Sequence, residues 1–322
     1  MATTAWGGGC VDGLCQPIEY AADQFGPQAV AVEAENVYWP VLNGRILRCP
    51  LGGCPSPLVP FATGQSTSIE LALDATSVYW LSAGSGPSAH DGAVRSCPLS
   101  GCVGSPTTVA QDLAPGGGLA LDDYTVYFTD ADTVNGGVLA CPKTGCGSTP
   151  TVLASGQLRP IDLVVVDGDV FWTNRDGGTV MRCATSGCGG TPTVFASNLD
   201  GPVGIASDGT DIYWTDQAGG AVMSCPVAGC SGAPSVIAAG QVQPTGIALD
   251  ASGVYWTAFG GPSSPTGTIM TCPLAGCGDG PRQLAKKQLH PIAIAVDAVA
   301  VYWANVGTYP NLTGGSVLRV AK

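Results

Sequence analysis

An aromatic pair recurs seven times along the chain: Tyr38-Trp39, Tyr79-Trp80, Tyr127-Phe128, Phe171-Trp172, Tyr213-Trp214, Tyr255-Trp256 and Tyr302-Trp303. Successive pairs begin 41, 48, 44, 42, 42 and 47 residues apart. A repeat of that length means a fold that grows by copying one supersecondary unit. It overrides the prior of two domains that 322 residues would otherwise suggest. Each unit reads roughly Pro-x-x-Ile-Ala-Leu-Asp-x-x-x-Val-Tyr-Trp-Thr-Asp, a Gly-rich loop, Gly-x-Val-x-x-Cys-Pro-x-x-Gly-Cys, then Pro-x-Val-x-Ala.

That grammar predicts four short strands per unit. The first, as in Ile247-Ala248-Leu249 or Ile294-Ala295-Val296, is apolar throughout and suits a strand buried on both faces. The second carries the β-favouring aromatic pair. The third and fourth alternate and lie further out, with Asp, Gly and Pro between strands as turn residues. Four strands in 40–50 residues is a β-propeller signature. The last unit stops at Ser316-Val-Leu-Arg-Val320, a third strand, and lacks its hairpin and fourth strand. The N-terminus supplies both, as Cys10-Val-Asp-Gly-Leu-Cys15 and Pro17-Ile-Glu-Tyr-Ala21. The expectation is an all-β, seven-bladed propeller over residues 1–322. Its seventh blade combines about 292–322 with 10–26, which hides the open sheet edges.

The fourteen cysteines fall in seven pairs of identical spacing: Cys10/Cys15, Cys49/Cys54, Cys97/Cys102, Cys141/Cys146, Cys183/Cys188, Cys225/Cys230 and Cys272/Cys277. Each pair brackets the turn between strands three and four, where facing residues come within bonding reach. One even pair per repeat reads as a disulfide framework in an oxidising compartment. A zinc site would need about four ligands, and pairs on different blades cannot share a metal. Secretion, the periplasm or the cell surface is therefore expected. The opening Met-Ala-Thr-Thr has no apolar core of a signal peptide, so a mature domain with an added Met is the reading. A net charge of −12 argues against nucleic acid and anionic lipid. No apolar run is long enough to cross a bilayer, and a monomer is expected.

The Val-Tyr-Trp-Thr-Asp stretch, best seen in Ile212-Tyr-Trp-Thr-Asp216, resembles the YWTD class of propellers. The repeat grammar is also similar to NHL and virginiamycin B lyase-like propellers. With its cysteines it resembles secreted repeat proteins of Gram-negative soil bacteria. The resemblance spans nearly the whole chain and implies the fold. YWTD domains have six blades, against seven counted here. In the lyase-like propellers a metal-assisted histidine catalyses on the face that bears the blade-to-blade connections, but no matching His-plus-Glu motif stands in this chain.

Function is sought on that face, called the top face, where the repeats stop being alike. Loops between strands two and three are short in blades one, four and five. They are longer in blades two (Ser82 to Gly92), three (Asp130 to Gly137), six (Ala258 to Gly267) and seven (Asn305 to Gly315). Such loops are common binding elements. The two histidines, His90 and His290, both fall there, and each is a candidate general base. One position into the inner strands is small in most blades (Gly118, Gly204, Gly246, Ala293), but is Glu70 in blade two and Asp162 in blade four. These carboxylates are expected to face the channel, either lining it or holding Ca²⁺ or Mg²⁺. Arg159 and Arg175 cluster by blade four, to grip an anion or to pair with Asp162 or Asp176. Phe259 and Tyr309 are candidates for stacking on a sugar or peptide. The Asp after strand one (Asp74, Asp122, Asp167, Asp208, Asp250, Asp297; Glu33 in blade one) recurs with its turn and reads as a turn cap.

The first expectation for function is a binding module for a carbohydrate or a protein, with no resident cofactor. The alternatives are a lyase or hydrolase at the channel mouth using His90 or His290 with Glu70, Asp162 and a divalent metal, and a structural spacer without ligand.

Overall fold

The computed structural model describes residues 10–11, 14–85, 89–102, 104–130, 136–261 and 265–322. Seven antiparallel four-stranded sheets are arranged as the blades of a propeller, with no helix among the described residues. The inner strands are Ala31–Val32, Ser68–Leu73, Gly116–Leu121, Pro160–Val166, Pro202–Ser207, Pro244–Asp250 and Pro291–Val296. In the seventh blade the outer strand is Ile18–Gln24 from the N-terminus, paired with Gly315–Ala321. The ends of the chain thus close the ring within one sheet.

The aromatic pair forms the packing layer. Trp39, Trp80, Trp172, Trp214, Trp256 and Trp303 are all fully buried. Each lies on the second strand, which is flanked by strands in its own sheet and by a neighbouring blade on each face. Burying one such side chain is worth about 1.5–3 kcal/mol.

A buried indole also needs an acceptor, and the chain provides one fifteen residues upstream. Gln24, Gln157 and Gln288 end the outer strand of one blade, and Gln65 and Gln241 follow theirs by three residues. Each accepts with its Oε1 from the Trp Nε1 of the next, at 3.2, 3.1, 3.1, 3.1 and 2.9 Å. The residue before this position has a positive φ in every blade (Asp23, Gly64, Asp112, Gly156, Asn198, Gly240, Lys287), where the outer strand turns out of register. Between blades two and three both partners change together, to Leu113 and Phe128, both buried. Between blades four and five only one changes: Leu199 replaces the glutamine, and the Trp214 N–H is left without a partner.

Basic side chains bolt the face that carries the cysteine hairpins. Arg48 donates to Leu99 O, Arg182 to Val227 O and Arg319 to Leu51 O, each across a blade interface at 2.8–3.2 Å. Lys143 pairs with Asp74 at 2.8 Å and Lys322 with Asp250, again between blades. The bolts on Arg182 and Lys143 serve the two interfaces that lack the Gln–Trp bond.

Six disulfides close the described hairpins: Cys49–Cys54, Cys97–Cys102, Cys141–Cys146, Cys183–Cys188, Cys225–Cys230 and Cys272–Cys277, with Cα atoms 4.9–5.6 Å apart. The two cysteines of a pair are not equivalent. Cys49, Cys97, Cys141, Cys183, Cys225 and Cys272 end the third strand and are buried in the core. Cys54, Cys102, Cys146, Cys188, Cys230 and Cys277 follow the turn and are only partly buried, packed against the edge of that core. Each bridge therefore ties a loop at the surface to a strand in the interior. These cysteines are structural, and none of them lines the central cavity described below. Cys10 and Cys15 face each other in a short ribbon, but their side chains lie outside the described residues.

The recurring acidic residue caps the first turn of six blades. Asp122, for example, accepts from Tyr124 N and Thr125 N at 2.8 and 2.7 Å, and from the Tyr127 hydroxyl at 2.7 Å. Burial, with the Asp122 hydrogen bond, pushes the Tyr127 phenol up to about 12. Asp167 is the exception. It sits with Gly168 in a two-residue turn with φ of 50° and 81°, the conformation that a tight hairpin requires.

Candidate functional site

The inner strands enclose a cavity of about 550 Å³ that opens on the top face. Its wall is mainly backbone and aliphatic side chains, among them Val30, Leu119, Ile161, Val203 and Ile292. Glu70, Asp162 and Arg175 are the charged groups that line it.

The local structure explains how these groups are held. Near its start each inner strand carries a register shift against strand two, as between Pro160 and Leu163 or Pro202 and Ile205. The shift frees backbone N–H groups, and the Thr of Tyr-Trp-Thr takes them up. Thr129, Thr173, Thr215 and Thr257 accept with Oγ1 from Gly118 N, Asp162 N, Gly204 N and Gly246 N at 2.8, 3.3, 2.9 and 2.8 Å. Thr173 and Thr215 then donate to Val203 O and Thr245 O of the next blade, both at 2.6 Å. This belt packs neighbouring inner strands so closely that a Cβ on Gly118 would lie 2.8 Å from Asp162 Cα, and one on Gly204 2.4 Å from Thr245 O. Small residues are therefore imposed by the geometry, and Glu70 and Asp162 depart from the rule.

Both carboxylates are bonded to backbone. Glu70 Oε1 accepts from Leu71 N at 2.9 Å. Asp162 Oδ1 accepts from Leu163 N at 2.8 Å, and its Oδ2 reaches across to Ile205 N of blade five at 3.0 Å. Both keep some contact with the cavity but are ringed by protein, and no cation pairs with either among the described residues. Desolvation, with the charge on Asp162, raises the Glu70 carboxyl well above its usual range. Desolvation raises Asp162 too, to about 6, against the pull of its two backbone donors. Two uncompensated carboxylates in one cavity resist double ionisation.

Of the two arginines, Arg159 pairs with Asp176 at 3.7 Å. Among the described residues no carboxylate lies within ion-pair distance of Arg175; its Nη2 donates to Gln217 Oε1 of blade five at 2.8 Å. Burial, with the nearby charge of Arg159, makes its guanidinium less basic than usual. Gln217, which fixes this arginine, was not singled out in the sequence, and only its place at the head of a short loop marks it.

The two histidines sit in different settings. His90 is exposed and lines no described cavity, while Ser85 N donates to neighbouring Asp91 at 2.9 Å. His290 is 2% exposed. Its ring stacks on Phe259 at 4.6 Å and meets Tyr309 edge-on at 5.6 Å. Its Nδ1 lies 2.8 Å from Gly307 O and its Nε2 3.2 Å from Gly261 O. Tyr309 is 58% exposed and Phe259 partly so. Ile292, two residues after His290, lines the cavity, whereas the rings of this aromatic shelf, Phe259, His290 and Tyr309, do not. Residues 86–88, 131–135 and 262–264 of the long loops lie outside the described residues. Among the described residues, no three His, Cys, Asp or Glu side chains group in a way that would hold a metal.

Neither a protein-family profile nor a curated protein matches the sequence. Solved structures do match. A streptogramin B lyase structure aligns with TM-score 0.70 and 13% identity over 95% of this chain and 97% of that one. A catalytically inactive histidine-to-alanine variant of virginiamycin B lyase from Staphylococcus aureus, with quinupristin, gives 0.69 and 15% over 95% and 98%. A nidogen/laminin complex gives 0.57 and 22% over 75% and 90%. The chain is thus a seven-bladed β-propeller similar in fold to a lyase and to a propeller found in a protein complex.

Proposed function

We propose that the chain is an extracytoplasmic binding module whose top face takes a hydroxyl-rich ligand, a carbohydrate, at the mouth of the central cavity. One observation carries the reading. Two carboxylates without a counter-ion and a guanidinium without a carboxylate in ion-pair reach, among the described residues, converge in one cavity lined otherwise mainly by backbone and aliphatic side chains. Carboxylate oxygens accept from paired hydroxyls, and the guanidinium donates to hydroxyl and ring oxygens in a fixed fork. The exposed Tyr309 ring offers an apolar face to a sugar's C–H surface. The six described disulfides support an extracellular setting.

The test is a glycan array with the oxidised protein, followed by calorimetry on any hit. Binding that falls at least tenfold in Glu70→Gln and in Arg175→Ala supports the reading. No binding to any glycan, or binding indifferent to both changes, contradicts it. The nidogen/laminin match supports a second reading, a protein ligand on the same face. The lyase matches motivate an assay on quinupristin. Both nitrogens of His290 already face carbonyl oxygens, which disfavours that residue as a free general base. Ca²⁺ or Mg²⁺ at Glu70 and Asp162 is tested by repeating the calorimetry with EDTA.

A further inference from the structure

We propose that His290 is a proton-operated clasp that fixes the blade-six loop stem Phe259–Gly261 to blade seven, and so sets the rigidity of the aromatic shelf. The argument starts from the backbone. His290 precedes Pro291 in the blade-to-blade connection and has φ of +56°. The matching position, before the proline that opens the next blade, is left-handed in other blades too. It holds Gly26 and Gly201, with φ of 54° and 76°, and Arg159 and Gln243, with φ of 55° and 52°. Glycine takes that conformation at least cost, and a side chain raises it. A residue other than glycine therefore needs contacts that offset the strain. Arg159 has its ion pair with Asp176; for His290 the offsetting contacts lie around a buried ring.

Each ring nitrogen faces a carbonyl oxygen. Gly307 O belongs to the loop of the same blade, at 2.8 Å, and Gly261 O to the loop of the preceding blade, at 3.2 Å. A neutral imidazole has one N–H and one lone pair, so it can serve only one of them. The shorter contact takes the N–H, which leaves the Nε2 lone pair opposed to the lone pairs of Gly261 O. Taking up one proton from solvent turns that opposition into an N–H···O bond, and both loops are then tied to one ring. The stem already leans on the blade-six connection through Phe259 N to Gln243 O at 3.0 Å. The clasp adds the link to blade seven.

The surroundings give the proton no other partner. From blade seven the titratable group against the ring is Tyr309, which meets it edge-on. From blade six the ring meets Phe259 and the Gly261 carbonyl, which do not titrate. Among the described residues no carboxylate lies within ion-pair distance of His290. The clasp should therefore tighten when the ring takes up a proton.

The experiment needs no ligand, so its outcome is separate from that of the carbohydrate reading. Amide exchange of Phe259, Gly260 and Gly261 is followed by NMR at pH 5.5 and 8 and corrected for intrinsic rates. His290→Gly and His290→Asn serve as controls, since both residues accept the left-handed backbone and neither titrates. In the wild type, protection of these amides should be about tenfold higher at pH 5.5, an effect on the scale of one charge-assisted hydrogen bond. In both variants the pH difference should vanish while the fold is kept. Equal protection at the two pH values in the wild type, or an unchanged pH dependence in the variants, overturns the proposal. So does an imidazole whose NMR signals show no titration between pH 5 and 8.

Discussion

The interfaces between blades and the mouth of the channel are built from the same repeat on opposite terms. At five of the seven interfaces one solution is copied, a buried tryptophan bonded to a glutamine fifteen residues upstream, and basic side chains reach across the hairpin face at five. At the mouth the copy is broken. Five blades have Ala29, Gly118, Gly204, Gly246 and Ala293 where blades two and four have Glu70 and Asp162, and the long loops belong to some blades only. Copied residues hold the ring together. The broken positions bury carboxyl groups without a counter-ion, although Asp162 also bonds across to blade five, and this departure from the repeat is what the proposed binding role rests on.

The largest effect should come from the copied layer. Trp303→Ala should cost about 3–5 kcal/mol in chemical denaturation, because it empties a fully buried site. Tyr309→Ala, on the exposed shelf, should change stability by less than about 0.5 kcal/mol. Equal losses would erase the distinction. Next is Gln288→Ala, which removes the acceptor for both Trp303 Nε1 and Asn305 Nδ2. Orphaning buried donors should cost about 1–3 kcal/mol. A smaller effect of opposite sign is expected at the interface where the copy failed. Leu199→Gln restores the partner that Trp214 lacks and should raise stability by about 1 kcal/mol. A loss would mean that Leu199 packing outweighs the missing bond.

The smallest expected effect is on pH dependence. Glu70 and Asp162 hold protons more tightly when folded than unfolded. The folded state therefore binds more protons from roughly pH 4 up to the folded values, and stability falls as pH rises through that window. The capping aspartates, lowered by their donors as at Asp122 and Asp208, act in the other sense, but only in acid below their unfolded values. Melting temperature should thus rise between pH 7.5 and 5.5, and less so in Asp162→Asn. An identical rise in that variant would place the titrating group elsewhere.

The fold was legible because every blade repeats its evidence. Tyr213-Trp214-Thr215 announces a second strand, Cys225 and Cys230 a hairpin, and Ser316–Val320 a sheet in want of a fourth strand. The spacing of the cysteines announced their bonding but not their unequal burial, as between Cys183 and Cys188, since that depends on which residue the third strand carries into the core. The glutamine–indole bond was equally periodic but went unread. A spacing of fifteen residues joins two blades and matches neither helix nor strand periodicity. The threonine belt was legible as sequence but not as hydrogen bonding, because its register shifts appear only in three dimensions. Glu70 and Asp162 stood out by breaking the pattern. What they lack, a counter-ion, depends on where Arg159 and Arg175 turn, and Gln217 and Asp176 decide that from other loops. The burial of His290 between two carbonyls was beyond the sequence, since Gly261 and Gly307 act through backbone atoms.

The most direct measurement joins stability and binding in one variant. Glu70→Gln removes a carboxyl that lacks a counter-ion while keeping size, shape and an oxygen that accepts from Leu71 N. Thermal unfolding at pH 7.5 should show a melting temperature equal to or above that of the wild type, while calorimetry with a glycan bound by the wild type shows affinity reduced at least tenfold. A melting temperature that drops while binding persists would contradict the account and return Glu70 to the frame.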